Sequence, residues 1–579
     1  MPKLLGIFIC NWKSEKENLN RNFIDFIRRT KICYQTMAIC AFFIEFGINI
    51  EKNVLMAEKI YLATAFRGIG IAIIRLAFLR MNGRPGIHIN NQESNYLSSK
   101  LRRYGKNSHV WLKYAANEGN SYAQYCLGTC YHDGLGLPQS ASKSIYWYRK
   151  GASQGNPCAI AILGYCYLEG FGVKKNFKKA IDFYKVAAAL GDSVAIYNLG
   201  FCYEEGRGIK KNIKTAFEYY TRSAALGNIF ALNSLGFCYE LGRGVTQDPT
   251  TAFNYYRMSA EMGYPWAQCN LAFCYQRGFG THQNSRLAFL WYSKAAIQGL
   301  SRAQHNLGHC YQLGVGVESN PAQAVKWYFK AAKQKNVYAF HSLGNCLVNG
   351  LGIKANSQKA VRYYEKAVIY NFVPSLISLS FCYRLGTGVK KNPLISFRLM
   401  KRAAELNNAY AQNCLGFFYE EGFGTQSCIK KAVHWYTRSA RLGNPWAQCN
   451  LGCIYFEGQG GIRLDKKKAI TLFMMAAASK HSRAINKLAY CYELGIVVRK
   501  DNKRAFELYY SASQFGYARA IYNLGRCYEL GIGTANSLEK ALMCYYKGAA
   551  MGDCFCENKI KKIVSSHVVN DCKQFAPSA

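Results

Sequence analysis

The amino-acid sequence predicts an all-α fold, a solenoid of about twelve helix-turn-helix units of 36 residues. Three observations carry that expectation. The segment AIYNLGFCYEEGRG, Ala195 to Gly208, returns along the chain with its leucine at Leu127, Leu163, Leu199, Leu235, Leu271, Leu307, Leu343, Leu379, Leu415, Leu451, Leu488 and Leu524. Every interval is 36 residues except one of 37, where an extra residue enters near Gly460 and Gly461. A fixed period of this size marks stacked repeats. In most units Ala, Leu, Cys and Tyr stand at i, i+4, i+7 and i+8, as in Ala195, Leu199, Cys202 and Tyr203, which is one face of an α-helix. A G-x-G such as Gly206 and Gly208 then stops the helix and turns the chain, where glycine tolerates the positive φ required.

Taken in order, residues 1–104 hold no repeat. Leu4 to Cys10 is a short apolar run without a small-residue cleavage site, a poor signal peptide. Two longer apolar stretches are weighed as membrane spans, Thr36 to Ile50 with Glu45, and Ile60 to Leu79 with Arg67 and Arg75. A central charge costs about 2.5–3.5 kcal/mol on insertion, so helices covering the first repeat, or a partly disordered extension, are better expectations than a membrane anchor. Gly83 to Asn95 reads as a linker, and Val110 to Gly119 as the second helix of a unit whose first helix is missing. In each full unit the first helix buries its Ala–Leu–Cys stripe, and Gly200 and its equivalents let the partner helix approach. Second helices carry aromatic pairs followed by small pairs, as Tyr219 with Tyr220 and Ala187 with Ala188, and end at glycines such as Gly191 and Gly227 or at Asn371 and Asn407. The repeats occupy residues 105–552, and residues 553–579 supply a capping helix, Asn558 to Val569, with a tail from Asn570.

The formal net charge of +41, from 74 basic and 33 acidic side chains, favours anionic partners or simply keeps the chain in solution. Ten of the 24 cysteines form one column, among them Cys166, Cys202 and Cys310. Packed helices lie about 8–10 Å apart, beyond the roughly 7 Å reach of a disulfide, so these read as small buried apolar residues in a reducing compartment.

The L-G-x-C-Y-x-x-G-x-G turn and the K-A-x-x-W-Y-x-K-A-A-x-x-G second helix resemble the Sel-one-like repeat family, relatives of the tetratricopeptide repeats. The resemblance spans about four-fifths of the chain and implies a right-handed superhelical solenoid acting as a scaffold or adaptor. Members include regulators of fungal chitin synthase, a subunit of the endoplasmic-reticulum degradation machinery and bacterial signalling proteins. It implies no cofactor and no particular partner.

The position after the central glycine points away from the buried stripe and reads Tyr165, Phe201, Phe237, Phe273, His309, Phe381, Phe417 and Tyr490 in eight units. In related solenoids that face lines the groove. The rings are either crowded by neighbouring helices or exposed to receive a protein segment. Glu204, Glu205, Glu240, Glu420, Glu421, Glu457 and Glu529 form an acidic margin suited to a Lys- or Arg-bearing partner. His305 and His309, four apart on this face, could chelate a metal but no third ligand is evident, and metal binding is not expected. Lys174, Lys175, Lys210, Lys211, Lys390 and Lys391 recur in the turns and would line a basic edge, the alternative surface for RNA or acidic membrane. Ser140 to Lys143 and Ser537 to Lys540 fit S-x-x-K without its supporting motifs, and no metalloprotease, P-loop or zinc-cysteine pattern occurs. The sequence therefore points to a non-enzymatic, protein-binding scaffold, cytoplasmic or membrane-associated through its N-terminal region.

Overall fold

In most repeats a glycine under a tyrosine ring sets the geometry of the helix pair. The computed structural model describes residues 34–46, 52–82, 93–94, 96–97 and 109–563. The run Leu4 to Cys10, most of the Gly83 to Asn95 linker and the tail from Asn570 lie outside the described residues. The chain divides into two units, Met1–Asn336 and Val337–Ala579. Each carries six helix pairs, and among the described residues there is no strand.

The unit built on Leu199 shows how sequence makes the pair. Its first helix, Ser193–Glu205, starts at Asp192, whose carboxylate accepts the Ala195 N–H at 2.8 Å. It ends at Gly206, φ 73°, where the N–H groups of Gly206 and Arg207 both donate to the Cys202 carbonyl, at 2.9 and 3.0 Å. The loop closes as the Asn212 N–H reaches the Tyr203 carbonyl at 2.9 Å. Asn212 then caps the second helix, Ile213–Ala225, accepting the Thr215 N–H at 3.2 Å. Helix ends leave unpaired N–H and C=O groups, and these residues satisfy them.

Packing follows. Ala195, Leu199 and Cys202 are buried, and so is Tyr220 from the second helix. A Cβ on Gly200 would lie 2.7 Å from the Tyr220 ring. The column admits Ala272, Ser380 and Ala489 but nothing larger, and Ser380 coincides with Met400 in place of the tyrosine. The other tyrosine of the stripe, Tyr203, is half-buried rather than buried and stacks on Tyr219, with ring centres 5.5 Å apart. The column cysteines are buried free thiols.

Left-handed residues close the second helices as well. Asn371 and Asn407 take φ of 56° and 60°, and Lys335 and Lys480, at 60° and 58°, do the same without being foreseen. Val497 replaces the second glycine of one G-x-G and still adopts φ 63°. The extra residue of the 37-residue unit is absorbed in a short 3-10 turn, Gln459–Gly461, with Gly460 and Gly461 both at positive φ.

Among the described residues, the helices ahead of the repeats begin with α1, Tyr34–Phe46, α2, Val54–Ala65, and α3, Gly70–Asn82. The second apolar stretch is thus broken at residues 66–69, and among the described residues no helix is long and apolar enough to cross a membrane. Its charges have partners. Glu45 and Arg75 are 3 % and 1 % exposed and form a two-pronged ion pair, with Nε to Oε2 at 2.9 Å. The Tyr61 hydroxyl donates to the same carboxylate at 2.9 Å, and Arg75 reaches Cys126 of the first repeat at 3.2 Å. These helices share one apolar core with α4, Val110–Asn117, and with the first two repeats. At the other end residues 554–563 are helical and Cys556 is buried against Gly548.

Candidate functional site

First helices of neighbouring repeats touch along the side that bears the aromatic column. Asn270 donates to Asn233 at 3.1 Å, Asn450 to Asn413 at 3.2 Å and Asn523 to Asn486 at 2.9 Å, each pair 37 residues apart. This amide ladder was not anticipated; the recurrent Asn before the column leucine was its only signal.

On that face the aromatic rings stand half out of the surface. Tyr165, Phe237, Phe417 and Tyr490 are 37–40 % exposed, and Phe201, Phe273 and Phe381 are half-buried. Arginine guanidinium groups lie over several of them. Arg207 is 4.9 Å from the Phe201 ring centre and Arg243 is 4.9 Å from that of Phe237. Arg384 reaches across to Phe417 of the next repeat at 5.7 Å. Such cation–π contacts hold the rings in place without covering both faces. His305 is half-buried and packs on the Tyr328 ring, while His309 is exposed. His341 is turned inward instead, with Nδ1 3.1 Å from Ser375 Oγ. Among the described residues no group of three potential ligands could hold a metal.

The acidic margin is largely committed to the fold, which corrects the expectation of a free acidic rim. Glu204, Glu240, Glu420 and Glu529 accept the buried hydroxyls of Tyr220, Tyr256, Tyr436 and Tyr545 at 2.5–2.6 Å, sixteen residues on. Burial and the carboxylate together push those phenols far above the ordinary tyrosine range. Acids of this margin also pair with cations from the element that follows their repeat. Arg243 binds Glu204 at 3.0 Å, Lys487 binds Glu457 at 3.5 Å and Lys559 binds Glu529 at 2.7 Å. Glu205 and Glu421 stay exposed. Where Leu168 replaces the carboxylate, the Tyr184 hydroxyl is buried without a partner.

In the N-terminal unit the same face dips into a cavity of about 390 Å³. Tyr125, Tyr165, Tyr197 and Phe230 line it together with Asp133 and Asp192. Only Tyr165 of these was singled out from sequence; Tyr197 occupies the other outward position, three before the glycine.

The remaining candidates lie elsewhere. Lys174, Lys175, Lys210, Lys211, Lys390 and Lys391 are all exposed in the turns after G-x-G. Ser140 and Ser537 are helix caps, accepting the N–H of Lys143 at 3.5 Å and of Lys540 at 3.4 Å, so both S-x-x-K matches are capping chemistry.

The repeat pattern has a known counterpart. Twelve consecutive segments between residues 121 and 553 match the Sel1 repeat. The chain belongs to the Sel1 repeat family. Among solved structures it is similar to c5321, a protective antigen of uropathogenic Escherichia coli that displays an SLR fold. The two share 29 % identity over 81 % of this chain and 98 % of that one, with a TM-score of 0.54. A Sel1 repeat protein from Oxalobacter formigenes shares 28 % identity over 42 % of this chain and 96 % of its own, with a TM-score of 0.40. No curated protein sequence matches. Proteins built from Sel1 and related repeats generally mediate protein–protein interaction.

Proposed function

We propose that this Sel1 repeat protein is a non-enzymatic scaffold or adaptor, and that its first-helix face receives a segment of a protein partner. The observation that carries the proposal is the aromatic column. Buried rings would only pack the solenoid, yet Tyr165, Phe237, Phe417 and Tyr490 keep 37–40 % of their surface in water. Rigid, half-exposed aromatics flanked by arginine are the residue types on which interface energy concentrates. The amide ladder beside them offers hydrogen bonds to an extended main chain. The buried free-thiol column suits work in a reducing compartment.

The test is a titration. A partner recovered with the whole chain is measured against the variant Phe201→Ala, Phe237→Ala, Phe273→Ala. Truncating interface aromatics costs more than about 1 kcal/mol each at hot spots, so affinity should fall at least about tenfold. Unchanged affinity with unchanged helicity would remove the site.

A further inference from the structure

One repeat departs from the others on this face. In the unit built on Leu451, cysteine stands at both outward positions, Cys449 three before the central glycine and Cys453 one after it. No other unit has this combination.

Both lie on the helix Pro445–Glu457, four residues apart and therefore on one side of it. An α-helix sets such residues about 6.2 Å apart at Cα and about 5–6 Å apart at Cβ. A disulfide accepts Cα separations of about 4.4–6.8 Å but draws Cβ atoms to about 3.5–4.5 Å. The bridge is thus within reach, at the expense of tightening one helical turn by about 1 Å.

The surroundings distinguish the two sulfurs. Arg483, from the next first helix Ser482–Leu494, places Nη2 3.6 Å from Cys453 Sγ. Its other arm is fixed on Asn450 Oδ1 at 3.2 Å. Lys487 on that helix and Glu457 on the thiols' own helix are the other charges facing the pair. Cys453 is 7 % exposed and Cys449 fully buried, so a small solute meets Cys453 first. A hydrogen bond from Cys449 and the cations Arg483 and Lys487 hold the Cys453 thiol below its ordinary range, while that bond and burial push Cys449 up. The column thiols are different: burial alone pushes Cys310 up to about 11. Thiolate is the reactive form, so the contrast is one of chemistry as well as position.

We propose that Cys449 and Cys453 form a peroxide-sensitive dithiol, Cys453 the attacking thiolate and Cys449 the resolving thiol. The thiolate attacks the distal oxygen of a hydroperoxide, ROOH; the S–O bond forms, the O–O bond breaks, and the departing RO⁻ takes a proton from water. The distal oxygen keeps its hydrogen, so Cys453 becomes a sulfenic acid directly. Cys449 sulfur then attacks the Cys453 sulfur; the S–S bond forms, the S–O bond breaks, and hydroxide leaves with the Cys449 proton as water. In sum two thiols and ROOH give a disulfide, ROH and water, a two-electron oxidation of sulfur matched by reduction of the peroxide. The closed bridge tightens the helix beside the Asn413–Asn450 rung, and thiol reductants reopen it. This inference stands independently of the partner-binding reading.

Tryptic residues 442–463 contain these two cysteines and no other, so mass spectrometry of the intact chain isolates them. After hydrogen peroxide, that peptide should lose two hydrogens and regain them with dithiothreitol. Cys449→Ser should stop at a sulfenic acid that dimedone traps on Cys453, and Cys453→Ser should leave the peptide unoxidised. Arg483→Met should slow oxidation about threefold or more and raise the pH midpoint of iodoacetamide labelling at Cys453. Loss of fold would instead expose the column thiols, which labelling of Cys310 reports in the same digest. If Cys453 in the wild type labels no faster than Cys310, no internal disulfide forms, or Arg483→Met leaves the midpoint in place, the proposal is overturned.

Discussion

The two glycines of one G-x-G turn should differ in what they tolerate, and the difference can be worked out atom by atom. Gly314 and Gly316 adopt φ of 72° and 71°, so alanine at either meets the left-handed penalty, about 1–2 kcal/mol. At Gly314 a Cβ finds nothing closer than 3.5 Å, and that penalty is the whole effect. At Gly316 a Cβ would sit 2.0 Å from the Ser285 carbonyl oxygen and 2.4 Å from its carbon. Ser285 opens the second helix of the preceding repeat, Ser285–Ile297, so backbone rather than a pliable side chain must yield. Adding an overpacking cost of about 1–3 kcal/mol brings Gly316→Ala to about 2–5 kcal/mol. A solenoid need not unfold in one step, so hydrogen exchange resolved by repeat is the assay. Gly314→Ala should lower protection slightly within its own repeat. Gly316→Ala should lower it more, and on both sides of the junction. Equal losses, or a larger loss at Gly314, would refute the steric argument. The natural counterexample runs the other way: Val497, at φ 63° and half-exposed, should give about 1 kcal/mol of stabilisation on Val497→Gly.

Arg75→Met strands the Glu45 carboxylate, 3 % exposed, and should cost about 3–5 kcal/mol by exchange over residues 34–82, whereas Glu45→Met with Arg75→Met should recover most of it. A double variant as unstable as the single one would mean the pair is not what destabilises it. Tyr184→Phe should be neutral or slightly stabilising in urea because its hydroxyl has no partner, while Tyr256→Phe should cost about 1–2 kcal/mol by losing its bond to Glu240. The chain already contains Phe473 at this position, where Phe456 replaces the acceptor. Burial holds the His341 imidazole down to about 4 from an ordinary 6.5. The unfolded chain therefore takes up a proton at that site before the folded one does, and stability of residues 337–579 should fall as pH drops from 6.5 toward 4. The decrement should be about 1 kcal/mol between pH 7 and 5.5, and His341→Gln should abolish it.

What could be read from the chain followed the repeat. Ala195, Leu199, Cys202 and the G-x-G stops were legible because twelve copies average away accidents. So was the outward direction of the Phe201 column, which helical geometry fixes. Contacts between different copies were harder to see. Glu204 looked like a free acid because its partner, Tyr220, lies sixteen residues on in the other helix, and Arg243 lies in the next repeat. Glu45 and Arg75 looked like blemishes in two apolar spans; they are one ion pair joining two helices that share no repeat. Lys335 and Lys480 carry no compositional mark of positive φ, since the repeat imposes it on them from both sides. How much of each aromatic ring stays in water was likewise undetermined, because it depends on neighbours such as Arg207 that reach over it.

Side-chain oxidation footprinting of the chain with and without its bound partner bears most directly on the adaptor reading. The account predicts that Tyr165, Phe237, Phe417 or Tyr490 become shielded on binding while the turn lysines and the outer rings of the second helices do not. Shielding confined to Lys174, Lys210 or Trp291, with the first-helix rings as reactive as before, would contradict it.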